Sequence, residues 1–130
     1  MTQKDLRECR RLRQKIRRLN ENIERLRSEM ESTTKALSAV PTGGGGHDRL
    51  GEQICTFIGL ISQKADQVLA LETLKNKVEE WASTLPEHQG LIICLRYVDG
   101  LSWKRVAKAA NYSEDHCFTL HRAALRKLET

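Results

Sequence analysis

LSWKRVAKAANYSEDHCFTLHRAALRKL, residues 101–128, is the stretch that decides the fold. Ser102 precedes a run whose apolar positions, Trp103, Val106, Ala107 and Ala110, recur at helical spacing. Asn111-Tyr112-Ser113 interrupts that run with turn-forming residues, and Ser113 stands where a second helix needs an N-cap. The second helix puts Cys117, Leu120, Ala124 and Leu128 on one side. Ala107 and Ala110 have almost no side chain, so the two backbones can approach and cross over a small core. The pattern predicts a helix-turn-helix.

The other face of the second helix is polar. Glu114, Asp115, His116, Phe118, Thr119, Arg122 and Arg126 are left over once the apolar row is buried. Asp, His and Thr are residue types that read base edges, and arginines bind phosphate oxygens. Lys104 and Arg105 add two cations on the first helix. Double-stranded DNA is the partner this face implies, with the second helix in the major groove.

Upstream, Thr84-Leu85-Pro86-Glu87 has the spacing of a capping box, with Pro86 in the first helical turn. A helix through Leu91, Ile92, Leu95 and Val98 is predicted to stop at Asp99-Gly100. Further back, Val40 to His47 reads VPTGGGGH, which predicts a hairpin loop, with Asp48 capping the helix that follows. A phosphate-binding loop would need a Lys-Ser/Thr pair and a preceding strand, and neither is present.

The loop separates two long helical stretches. From Cys9 to Leu37 a heptad runs almost without error: Leu12, Leu19 and Leu26 on d, Ile16, Ile23 and Met30 on a, with Thr33 breaking the d row. Between Asp48 and Leu85 the stripe Leu50, Ile54, Phe57, Ile61, Val68, Leu71, Val78, Leu85 offers a partner within the chain. Ile58, Ala65, Leu74 and Trp81 widen it, as in a helix with more than one neighbour.

Composition agrees with this organisation. Aromatics make up 5% and charged residues 30% of the 130 residues, which suits long solvated helices better than one large core. Residues 1–31 hold ten Lys/Arg against six Asp/Glu, and 101–130 hold six against three. The middle, 32–100, holds six against eight, so the basic charge sits at both ends. Cys9, Cys55, Cys94 and Cys117 form no Cys-x-x-Cys pair, which argues against zinc and for a reducing, cytoplasmic setting. No apolar run approaches the roughly 20 residues of a membrane span, and no membrane association is expected. His47, His88, His116 and His121 lack metalloprotease or nuclease spacing, so no catalytic residue, metal or cofactor is expected. Cys117 and His121 are four apart, but Cys117 occupies a position that wants a small buried hydrophobe.

Two segments, LRYVDGLSWKRVA (95–107) and Tyr112-Ser113 through Leu128, resemble the fourth conserved region of bacterial sigma factors. More broadly, the chain resembles small phage and prophage sigma-like regulators, with late-gene activators of the ArpU type as relatives. That resemblance implies base contacts at Glu114, Asp115, His116, Phe118 and Thr119, and phosphate contacts at Lys104, Arg105, Arg122 and Arg126. Ser113 opens this helix. Primary sigma factors carry arginines where Glu114 and Phe118 stand, so the standard upstream hexamer is not the expected target. Phe118 can touch thymine methyls or be buried against a neighbouring helix.

The expectation is therefore an all-α chain. Residues 1–83 would be a helical hairpin with its loop at 40–47, and 84–130 a sigma-region-4-like helix-turn-helix domain. The first 56 residues contain no aromatic side chain to capture a melted strand. An activator working with host RNA polymerase is thus expected rather than a complete sigma factor. A packaging (small-terminase-like) DNA-recognition subunit, or a polymerase-docking protein that does not read DNA, are the alternatives. A homodimer or higher homo-oligomer through residues 9–85 is expected, bringing two heads to DNA together.

Overall fold

The computed structural model describes residues 1–39 and 45–128, and side chains there except those of 45–47. The protein is all-α: α1 (Gln3–Ala39), α2 (Gly45–Ala82), α3 (Glu87–Ile93) running on through a wide π turn at Cys94–Val98, α4 (Trp103–Ala110) and α5 (Glu114–Leu125).

α1 opens on a reciprocal cap that hydrophobic spacing does not reveal. The Asp5 amide donates to Thr2 Oγ1 at 3.2 Å, and the Thr2 amide donates to Asp5 Oδ2 at 3.1 Å. Along α1 the heptad residues turn inward: Cys9, Leu12, Leu19 and Ile23 are buried, and Ile16, Leu26, Met30 and Leu37 half-buried. Thr33 is buried too, because its hydroxyl donates to the Glu29 carbonyl at 3.0 Å and brings no unpaired group inside.

α2 begins at Gly45, so Asp48 lies in its first turn and is not its cap. The first four N–H groups of any helix lack an internal acceptor, and a carboxylate there is favoured by the helix dipole. The remainder of the predicted loop, residues 40–44, lies outside the described residues. The seam of α2 also differs from the expected one. Ile54, Ile58, Ile61 and Val68 are exposed, whereas Leu50, Gln53, Phe57, Leu60, Lys64, Gln67, Leu71, Leu74 and Val78 are buried or half-buried. A row shifted by one residue has the same three-four spacing, so periodicity admits both. α2 is also long and apolar enough, by length and composition alone, to cross a membrane. Residues 53–63 carry no charge, although they are not continuously apolar, and Lys64 and Asp66 follow.

The chain divides into two compact units. One comprises residues 14–68, the greater part of α1 and the first part of α2. The other joins residues 1–13 and the end of α2, from Leu69, to everything that follows. The short helices of this second unit therefore fold against the first turns of α1 and the last turns of α2.

The expected capping box at Thr84 is absent. The Thr84 hydroxyl donates to the Trp81 carbonyl at 2.6 Å, and Pro86 occupies the N-cap of α3 without a side-chain bond. The same carbonyl also accepts the Thr84 amide at 3.0 Å, so the hydroxyl is held at the end of α2 and reaches no amide of α3. α3 then passes so close to α2 that a Cβ on Gly90 would stand 2.7 Å from the Ala82 carbonyl oxygen.

Candidate nucleic-acid interface

Ser102 and Ser113 start α4 and α5 as expected. Ser102 accepts from the Arg105 amide at 3.4 Å, and Ser113 from the His116 amide at 3.1 Å. Such caps are worth about 1 kcal/mol each. Asn111 ends α4 in the left-handed conformation (φ 60°), which asparagine tolerates better than most residues. Ile92, Val106, Ala107 and Cys117 form the core beneath this pair of helices, with Leu101, Trp103 and Leu120 packed around it. Burial of the Cys117 thiol raises its pKa, which leaves it a small hydrophobe here.

With Cys117 and Ala124 fixed inside, the outer face of α5 follows. Asp115, Thr119, Arg122 and Arg126 share one exposed row, and Glu114 and His116 are exposed beside it. Among the described residues, Arg122 and Arg126 make no ion pair or side-chain hydrogen bond. The Thr119 hydroxyl donates to the Asp115 carbonyl at 3.0 Å, and the His116 ring stands edge-on to Tyr112 with centroids 4.8 Å apart. Lys104 and Arg105 are exposed on the first turn of α4.

Phe118 is half-buried, edge-to-face against Trp103 at 5.0 Å between centroids. Of the two roles open to it, packing against a neighbouring helix accounts for part of its surface. Trp103 is the hub of this side of the head: the Arg96 guanidinium lies 4.7 Å from its ring centroid, and His121 packs edge-on at 4.8 Å. The His121 Nε2 is hydrogen-bonded to the Tyr97 hydroxyl at 2.7 Å. Burial and then the nearby Arg96 charge push the His121 pKa down to about 4, so the ring is neutral near pH 7. His121 thus belongs to the scaffold that orients α5.

A second feature of that scaffold has no trace in the local sequence. The π turn leaves the Tyr97 and Val98 carbonyls without helical partners, and the Arg13 guanidinium of α1 donates to both, at 3.0 Å to Tyr97. Gly100, with φ +70°, makes room for it: a Cβ there would lie 2.7 Å from the guanidinium carbon. Among the described residues no cluster of three or more His, Cys, Asp or Glu side chains can hold a metal.

No family model, curated protein or solved structure matches this chain.

Proposed function

We propose that the protein is a sequence-specific DNA-binding regulator of transcription, a sigma-like phage or prophage activator acting with host RNA polymerase. In this reading α5 enters the major groove, where Asp115, His116 and Thr119 meet base edges and Arg122 and Arg126 meet phosphates. The observation that carries it is the exposed row on α5, whose two arginines have no partner among the described residues while the opposite face is locked into the core. Phosphate contacts release counterions, so binding of the full chain should weaken steeply with salt.

Selection of the full chain on a randomised duplex library tests this. Arg122→Ala or Arg126→Ala should weaken all sequences alike. His116→Ala or Thr119→Ala should change the preferred sequence, by about 1–3 kcal/mol for each good base interaction removed. Identical preferences with both His116 and Thr119 replaced would overturn the readout face.

A docking role for the head is the second reading, favoured by Leu91. This leucine is 41% exposed and borders a shallow groove with Ala82, Leu85 and Cys94, whose lining also includes Glu79, Ser83 and Glu87. Leu91→Asp that abolishes polymerase association while DNA binding persists would assign that groove to a protein partner.

A further inference from the structure

α2 carries two apolar rows, and the chain uses the poorer one. Of the inward residues between Leu50 and Gln67, three are polar: Gln53, Lys64 and Gln67. The outer row reads Gly51, Ile54, Ile58, Ile61, Ala65, Val68, at alternating spacings of three and four. Ile54 is 40% exposed, Ile58 62%, Ile61 42% and Val68 37%, and no residue from Gln53 to Gln63 is charged. Side chains at Gly51 and Gly59 would meet nothing of this chain within 4 Å, yet each glycine costs a helix about 1 kcal/mol.

We propose that this outer row is the interface between two copies of the chain, with the two α2 helices antiparallel. The row is complementary to itself about a two-fold axis between Ile58 and Ile61. Gly51 then faces Val68 of the partner subunit, Ile54 faces Ala65 of the partner subunit, and Ile58 faces Ile61 of the partner subunit. Every layer but the central pair sets a large side chain against a small one, as close helix packing requires. A parallel pair in register would set Gly51 and Ala65 against themselves and leave voids. Glu72 and Lys75 occupy the next two positions of the row and end it. A lipid bilayer fits less well, because a span centred on this row would have to bury Lys64 and Asp66. Within residues 9–85, where an interface was expected, the α1 heptad is turned inward and the exposed apolar row lies on α2. The inference does not depend on the DNA reading.

Sedimentation equilibrium of the full chain at tens of micromolar should give twice the chain mass. Ile58→Glu with Ile61→Glu should give the chain mass with helicity by circular dichroism unchanged, since both side chains are exposed. The dissociation constant should rise by about a hundredfold or more. A monomeric wild-type chain, or a dimer that survives both substitutions, overturns the proposal, as does a monomer that floats with neutral phospholipid vesicles. Spin labels in a Cys55→Ser, Asn76→Cys chain report orientation. The antiparallel register separates them by about 50 Å along the helices, and a distance below about 15 Å overturns it.

Discussion

Arg13 shows how one side chain can hold two parts of a chain together. It caps carbonyls at the negative end of α3 and its π turn, from a helix 84 residues away in sequence. Hydrogen bonds to a charged donor contribute about 1.5–3 kcal/mol, and removal leaves the carbonyls beside a void. Arg13→Ala is expected to lower the urea midpoint by an amount in that range, with the loss appearing in tryptophan fluorescence, since Trp103 lies in the same unit. His121 gives a second prediction. Its folded pKa, about 4, lies below the usual 6.5, so between those values the unfolded chain binds more protons. Its contribution is fully present above pH 6.5 and is lost as pH falls toward 4. Denaturant midpoints should fall across that window, and His121→Gln, which keeps a partner for the Tyr97 hydroxyl, should flatten the slope.

At the scale of elements, the close pass of α3 over α2 depends on Gly90. Alanine normally stabilises a helix interior relative to glycine by roughly 0.5–1 kcal/mol. Here its methyl would meet the Ala82 backbone oxygen, which cannot swing aside as a side chain can. Gly90→Ala should therefore destabilise by about 1–3 kcal/mol, opposite in sign to propensity, measured by chemical denaturation. The starts of α4 and α5 and the turn between them are set locally. Their caps at Ser102 and Ser113 and the turn at Asn111 act over three or four residues, and for that reason these features could be read directly from the chain.

For the whole molecule, the compact unit that contains the head also contains residues 1–13 and the last turns of α2. A fragment of residues 84–130 would lack Arg13 and the Ala82 backbone on which α3 rests. Its thermal transition, followed by circular dichroism, is expected well below that of the full chain and with reduced cooperativity. A fragment melting at the same temperature would show that residues 1–13 and the last turns of α2 contribute nothing to the head.

The all-α class, the α1 heptad, the caps of α4 and α5, and the apolar positions Val106, Ala107 and Cys117 were determined by sequence alone, because each is written in residue types and spacings a few positions apart along the chain. The exposed row on α5 followed from them, since burying Cys117 and Ala124 leaves Asp115, Thr119, Arg122 and Arg126 outside. Tertiary structure decided the rest. A heptad spacing reveals that apolar rows exist on α2 but not which one turns inward, and the choice fell on the row containing Gln53 and Lys64. The packing of Phe118 on Trp103, the neutral His121 and the Arg13 anchor each depend on a partner brought close only by folding. No pattern of neighbouring residues encodes a contact between positions 13 and 97, because the distance that matters there is set by how whole helices pack.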